Sequence, residues 1–509
     1  MQAFLDRHRQ KIIGVLHGYD RLLFRGCLRS ISYPNGLGNF LAAHGVRYAQ
    51  FGVFAQQLSD QLKAHASKIA QESGRPYEYL QAGTRNKEQI ALQIAQRDRI
   101  SQGLICVLRC VEVCKSFGVQ REGKEGKFHF ARQSRKCLFF YFYYMDRDFG
   151  LMHIRLQSWL PFDIQICVNG REWLARQMAR AGIGFEQRDN CFVRIDDLPR
   201  AQKMMEQLEK RKWAGLLSAM ARRVNPLPRK LNLFGYYWSV RESEYATDIL
   251  FRDQASLASI YPHLVDHALR RFSCHDVMKF LGRRTNACFN GEASTNIRYR
   301  AEGMRIKHWI EENSMKMYDK QLSVLRVETT LNNVRRFKVR RCTLRRGKRA
   351  MHWIPMRKGI MDLPRRTQVC RAANQRYLQA LGVVGEQSPT RQLLDPLSRR
   401  ITQKGRPYRA LRPVSPEEAS VFAVVMDGRY HLKGFTNAHL RQALLPHEKD
   451  AQQRRRQSGR ITRILRLLRA HGLVRKVSHT RSYRVTDRGQ IAMTAVLRLR
   501  ETDVSRLAA

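Results

Sequence analysis

The run Lys136–Met145 (KCLFFYFYYM) constrains the fold more than any other stretch of the chain. It is too aromatic and too short for a typical helix, and aromatic side chains favour a pleated surface, so it reads as a buried strand. Asp146–Gly150 (DRDFG) is then a turn, and Leu151–Trp159 and Asp163–Val168 are further strands. Asn169-Gly170 ends the third strand, Arg171–Ala181 reads as a helix, and Cys191–Ile195 as a short strand. The pattern β-β-β-α-β predicts a sheet with a helix on one face.

The rest of the chain is assembled around this element. Apolar spacings of three and four over Asn39–Ala66 and Ile90–Val111 predict a mostly helical region 1–125. Ala201–Met220 and Asp248–Phe280 are also expected as helices, and Ser314–Tyr318 and Val324–Thr330 as strands. The expected fold class is α+β and multidomain. Its parts are a helical region 1–125, an α+β unit 126–230, a second α+β unit 231–375, a linker 376–412 and a C-terminal unit 413–509. No internal repeat is visible in the sequence.

Charge narrows the function. Lys and Arg number 93 against 43 Asp and Glu, a formal net charge of +50. A compact chain with this charge repels itself, so a polyanionic partner is expected, with DNA first and structured RNA as an alternative. No apolar stretch has the length of a membrane span, and charges interrupt the N-terminus where a signal peptide would be apolar. Eleven scattered Cys fit reduced thiols, and a cytoplasmic, nucleoid-associated protein is expected. Cys106, Cys110 and Cys114 would share a helix face as small core residues. P-loop, dinucleotide and HExxH motifs do not occur, so no nucleotide or redox cofactor is expected.

The C-terminal unit carries the clearest signal. Ser415-Pro416-Glu417-Glu418 is a helix start, a second helix is expected from Thr436-Asn437, and a third from about Ser458 to His471. On the third, Ile461, Ile464, Leu465 and Leu468 share one face while Arg463 and Arg466 lie opposite, flanked by Arg469. Leu473–Val477 and Tyr483–Thr486 frame a basic tip. Three helices and a hairpin resemble a winged helix-turn-helix, which places an arginine-faced helix in the major groove. From Arg454 to Arg484 there are ten Arg, one Lys and no Asp or Glu. Arg460, Arg463, Arg466, Arg469, Arg475, Lys476, Arg481 and Arg484 are the expected phosphate and groove contacts. Arg155, on the polar side of the strand His153–Trp159, is a candidate contact to single-stranded nucleic acid.

Three groups are candidates for chemistry. Lys316, Tyr318 and Lys320 alternate along one strand, and Arg326 and Glu328 along the next, so a phenol, a carboxylate and cations can meet. A tyrosine attacks a phosphodiester when cations neutralise the phosphate, and a carboxylate holds the metal that polarises it. Tyr318, Glu328 and Lys320 are therefore the catalytic candidates, with His308 as a further ligand. Glu244 and Asp248, four apart, would share a helix face and suit Mg²⁺ or Mn²⁺, with Asp20 joining if the fold allows. Widely spaced carboxylates of this kind are what a metal nuclease of the ribonuclease H type needs.

Two resemblances accompany these residues. The KMYDK strand and the following Arg-x-Glu strand resemble those of rolling-circle replication initiators, which implies Tyr318 as nucleophile and Glu328 as metal ligand; no His-hydrophobic-His motif accompanies them. Over nearly its whole length, through GYDRLLFRG, RLQSWLPFDIQICVNGREWLARQM, YYWSVRESEYATD, EGMRIKHW, KMYDK and ILRLLRAHGLVRK, the chain resembles a large bacterial family of about this length with a C-terminal winged helix. Its members often occur in many copies per genome, which implies a mobile genetic element but no particular activity. The expectation is thus an initiator- or transposase-like protein that binds DNA and nicks or transfers strands. The alternative is a non-catalytic regulator or a ribonucleoprotein component.

Overall fold

The computed structural model describes residues 1–81, 86–121, 126–283, 291–300, 303–345, 347–384, 390–403, 405–427, 430, 434–448, 450–478 and 480–502. Its strands begin with β1 (Ile12–Cys27), β2 (Tyr77–Tyr79), β3 (Gly103–Arg121), β4 (Phe128–Asp146), β5 (Gly150–Gln157), β6 (Ile164–Asn169), β7 (Phe185–Arg188) and β8 (Cys191–Ile195). They continue with β9 (Tyr237–Phe251), β10 (Ser294–Arg300), β11 (Gly303–Ile310), β12 (Asn313–Lys320) and β13 (Val324–Thr330). All but β7 and β8 join one eleven-stranded sheet in the order β10-β11-β12-β13-β9-β1-β6-β5-β4-β3-β2. The segments 1–125, 126–230 and 231–375 all contribute strands to it.

This order contains a repeat that the sequence does not show. From β1 the chain passes through helices, runs a meander β3-β4-β5-β6, pairs β6 back against β1 and enters a helix. From β9 it does the same: helices, a meander β10-β11-β12-β13, and β13 back against β9. The two first strands, β1 and β9, lie antiparallel at the centre. The halves share connectivity rather than side chains.

The N-terminal region is helical only in part. Helices span Pro34–Ala43, Phe51–Glu72 and Lys87–Arg97, but Ile12–Cys27 and Gly103–Arg121 are long strands. Leu16, Tyr19, Leu22 and Phe24 are buried, and so are His17, Gly18 and Asp20, so burial on both faces removes the polar–apolar alternation that marks a half-exposed strand. Cys106, Cys110 and Cys114 accordingly sit on a strand; a spacing of four shares a face there as well. Asp248 likewise belongs to β9, and helices follow only from Gln254. The helix expected over Ala201–Met220 is two helices, Leu198–Glu209 and Trp213–Val224.

Three helices lock the centre. α1 (Gly170–Arg180) starts where Asn169 leaves β6 and accepts the backbone N–H of Arg171 and Glu172 at 2.8 and 3.1 Å. Its first residue must be glycine, because a Cβ there would lie 2.0 Å from the Tyr19 carbonyl oxygen. α2 (Leu198–Glu209) flanks β1: the Gln202 amide accepts from His17 N–H at 2.8 Å and donates to His17 C=O at 3.3 Å. α3 (Leu363–Leu381) packs beneath β9 and β13, where Asn374 donates to the Tyr245 carbonyl at 3.1 Å. It extends into the expected linker, burying Tyr377, Leu378 and Leu381.

Leu397 and Leu411, also within that linker, belong to a second apolar cluster with Phe422, Leu440, Ile461, Leu465, Leu468 and Val496. This C-terminal region comprises helices Pro416–Val425, Asn437–Leu444 and Ala451–Ala470, a hairpin Val474–Lys476 with Tyr483–Val485, and a helix Asp487–Glu501. Among the described residues no helix is long and apolar enough to cross a membrane.

Candidate functional site

The site lies where β1, β9, β13 and β12 run side by side. Register places Lys316 opposite Glu328 and Tyr318 opposite Arg326, and on the other side of β13 it places Arg326 opposite Asp248. Cross-strand partners share a face, so the alternation of β12 and β13 converges here. The Tyr318 hydroxyl donates to Glu328 Oε2 at 2.8 Å, and Lys316 Nζ donates to Glu328 Oε1 at 2.6 Å and Glu244 Oε1 at 3.1 Å.

Asp20 enters through a β-bulge. Tyr19 pairs with Tyr245 and Arg21 with Glu244, leaving Asp20 as the extra residue of β1. Bulges re-aim a side chain, and this one turns a carboxylate toward β13. Carboxylate oxygens of Asp20, Glu244 and Glu328 all lie within 4.8 Å of one another. Asp20 is 4% exposed; its Oδ2 accepts from Asn190 at 2.8 Å and Arg326 at 3.2 Å, while its Oδ1 is buried with no hydrogen-bond partner. The three residues line a cavity of about 200 Å³ together with Asp189, Asn190, Arg305, Lys316, Tyr318 and Lys320. That volume suits an ion and a phosphate-sized group. Oxygen-only donors of this kind suit hard cations such as Mg²⁺ and Mn²⁺.

Electrostatics set the protonation of the group. Burial raises the Asp20 and Glu244 carboxyls above their ordinary values, with repulsion from Glu328 adding to both. Burial works against Glu328 as well, but Lys316, Arg326 and the Tyr318 hydroxyl outweigh it and hold that carboxyl low. Burial, followed by the Glu328 charge, pushes the Tyr318 phenol well above its usual range. Tyr318 is therefore neutral at rest and has a carboxylate acceptor already hydrogen-bonded to it.

The remaining expected residues fall in different places. Asp248 is fully buried and consumed: Arg326 donates to it twice, at 2.6 and 2.8 Å, and Arg171 Nη2 lies 2.9 Å away. It anchors Arg326 rather than holding a metal. Arg326 also donates to the Asn190 carbonyl at 2.8 Å, fixing the β7–β8 turn over the site. Lys320 is inside the cavity, paired with Asp189 at 2.8 Å. His308 is not a ligand here. Register sets it opposite Met315, on the other face of the sheet from Lys316, where it bonds Thr295 at 2.8 Å and Tyr377 at 3.1 Å. Burial lowers its pKa to about 4. Arg155 is engaged with Glu112 at 2.5 Å and stacked 3.7 Å over the Phe139 ring, so the structure holds it within the sheet.

Sequence reasoning missed Asn190, Arg171 and Asp189. Nothing in the local pattern marks them; the β7–β8 turn and the start of α1 reach the site only through tertiary packing.

In the C-terminal region Arg460, Arg463, Arg466, Arg469, Arg475, Lys476, Arg481 and Arg484 are all exposed, while Ile461, Leu465 and Leu468 are buried. Ile464, expected on the same face, is half-buried and Leu467 is buried as well; the division into an apolar and an arginine face otherwise follows the sequence. Arg460, Arg463 and Arg466 line a cavity of about 580 Å³ together with Arg406, Arg409, Phe422 and Leu467. No family model matches the chain, and no curated protein and no solved structure is similar to it.

Proposed function

We propose that this protein processes nucleic acid: its C-terminal region binds duplex DNA as a winged helix, and its central carboxylate site breaks or transfers phosphodiester bonds with Mg²⁺ or Mn²⁺. The observation that carries the reading is the meeting of Asp20, Glu244 and Glu328, far apart in sequence, within 4.8 Å in a small polar cavity. Asp20 Oδ1, buried and without a partner, is the kind of orphaned donor atom that a cation satisfies. An ion there would polarise a phosphodiester oxygen and lower the pKa of bound water. Lys320 and Arg305, lining the same cavity, would offset the phosphate charge.

The winged-helix reading is supported by the helix order and by a bridge between Phe435, just before the second helix, and Tyr483 of the hairpin. The eight exposed cations then face phosphates. The many-copy family resemblance suits a mobile-element gene.

One contact favours a tyrosine-dependent route at the same site. The Tyr318 hydroxyl already donates to Glu328, so Glu328 can take its proton as the phenolic oxygen bonds to phosphorus and the P–O bond to one deoxyribose breaks, that oxygen leaving as a hydroxyl with a proton from water. Cleavage of labelled duplex and supercoiled DNA by the full chain, with and without Mn²⁺, tests both. Asp20→Asn and Glu328→Gln should abolish cleavage while binding persists. Tyr318→Phe should abolish cleavage and the covalent protein–DNA adduct if the phenol attacks, and leave hydrolysis if metal-bound water does. Wild-type cleavage by Asp20→Asn would remove the carboxylate site from the account.

A further inference from the structure

Beyond the C-terminal region, one surface element has the composition of a second nucleic-acid contact. Residues 335–358 hold eleven Lys and Arg and no Asp or Glu. Within them β14 (Lys338–Arg345) and β15 (Lys348–Pro355) form a two-stranded ribbon that hydrogen-bonds to no third strand among the described residues. Its inner face is tied down. Val339 packs on the main core, Arg341 donates to the Asp362 carboxylate, and Arg365 donates to the Lys338 carbonyl at 3.0 Å.

The outer face is exposed, with the Arg365 guanidinium 5.6 Å from the Trp353 ring centroid. Register sets Arg340 beside Trp353 and Leu344 beside Arg349, with Met351 between. Trp353 is 57%, Met351 51% and Leu344 67% exposed. A face kept only for solubility would not display three large apolar side chains. A face built for an apolar protein partner would not set them among cations with no acid. Interleaved guanidinium groups and apolar side chains suit a polyanion that also offers apolar edges: phosphates for the arginines, sugars and bases for the tryptophan and methionine. A two-stranded ribbon fits the major groove of B-DNA, about 12 Å wide. Eight residues per strand give a length of about 27 Å, roughly four-fifths of one helical turn of DNA.

We infer that the β14–β15 ribbon is a second DNA-binding arm, which lies in a groove of the duplex with Arg340 and Arg349 on phosphates and Trp353 against sugar or base. This rests on the reading of the protein as a nucleic-acid binder and adds a contact outside the C-terminal region.

The test uses the full chain and a random-sequence duplex, with affinity measured across a range of salt. Each phosphate neutralised contributes about 0.9 to the slope of log affinity against log salt. Arg340→Ala with Arg349→Ala should flatten the slope by about 2 while the C-terminal arginines are intact. Trp353→Ala should weaken binding about tenfold with the slope unchanged, the scale expected for loss of one aromatic contact to a base. Trp353→Phe should remove the fluorescence quench that duplex causes in the wild type. The altered side chains are all exposed, and unchanged thermal unfolding checks that the variants are folded. Wild-type affinity and slope in these variants, with the wild type binding duplex, would overturn the arm and spare the proposed function. Failure of the wild type to bind nucleic acid would overturn both. A Trp353 shift on phosphatidylglycerol–phosphatidylcholine vesicles but not on duplex would make the ribbon a membrane-surface element and overturn the inference.

Discussion

Replacing Lys316 with methionine separates a metal site from a purely structural ion network. Lys316 Nζ sits 2.6 Å from Glu328 and 3.1 Å from Glu244, its side chain 17% exposed. Methionine keeps the length of the side chain and removes the charge. Glu244 and Glu328 then face each other with no cation between them, and the cheapest relief is for Glu244, already raised by burial, to take up a proton. From an ordinary value of 4.5, protonation at pH 7 costs about 2.5 × 1.36, or roughly 3.4 kcal/mol. That is a ceiling on the loss from this pair, and it falls to about 0.7 kcal/mol at pH 5. A divalent cation takes the vacated place without displacing an ammonium group, so the variant should bind Mn²⁺ more tightly than the wild type. At a hundred times its Kd the ion restores about 2.7 kcal/mol. Urea unfolding followed by tryptophan fluorescence reads this directly, because all six Trp precede the C-terminal region. A loss of stability that is equal at pH 5 and pH 7, or that Mn²⁺ leaves unchanged, refutes the reasoning.

Other outcomes follow from the same network. Arg326→Met removes a guanidinium with no exposed surface and leaves Asp248 with Arg171 and Asp20 with Asn190 alone, and it should cost about 3–5 kcal/mol in urea unfolding. In that background Asp248→Asn should cost markedly less than in the wild type, since the two share one interaction; strict additivity would contradict the contact. Despite its burial, the Asp248 carboxyl is held below its ordinary 3.8 by Arg171 and Arg326. Its stabilisation is therefore present above pH 3.8 and lost as pH falls through the lower, folded value. Asp248→Asn should accordingly flatten the acid limb of stability below pH 3.8, and an unaltered limb would show that the carboxylate is not held this way. Because Asp20 and Glu244 are raised, protons compete for the same oxygens, and Mn²⁺ affinity should climb with pH above their ordinary values of 3.8 and 4.5.

Where alternation or aromatic content was strong, the sequence was readable. The strands expected at Lys136–Met145, Leu151–Trp159, Asp163–Val168, Ser314–Tyr318 and Val324–Thr330 are all found, because each has either an aromatic run or a period of two, although the first runs from Phe128 to Asp146. β1 was not readable: over Leu16–Asp20 it is buried on both sides, and the alternation from Arg21 to Cys27 is too short to have been singled out. Tyr318 and Glu328 could be paired because two strands and a short turn fix their relative parity. The same parity argument, extended across Glu311-Glu312, sends His308 to the opposite face; the register of β11 on β12 was needed to apply it. Asp20 was a conditional partner of Glu244, and the bulge that satisfies the condition leaves no local signature. Glu244 and Asp248 do share a face, but a strand's, and only Glu244 is left for a cation because Arg171 and Arg326 reach Asp248 from other elements. The doubled topology is invisible in the residues because connectivity repeats while the side chains do not.

The most direct test is the anomalous difference map of crystals grown with Mn²⁺. The account predicts a single strong peak among Asp20, Glu244 and Glu328, with Lys316 displaced from between the two glutamates, and no peak in crystals of Asp20→Asn. Saturating Mn²⁺ with no peak there, and Lys316 still bridging Glu244 and Glu328, would contradict it.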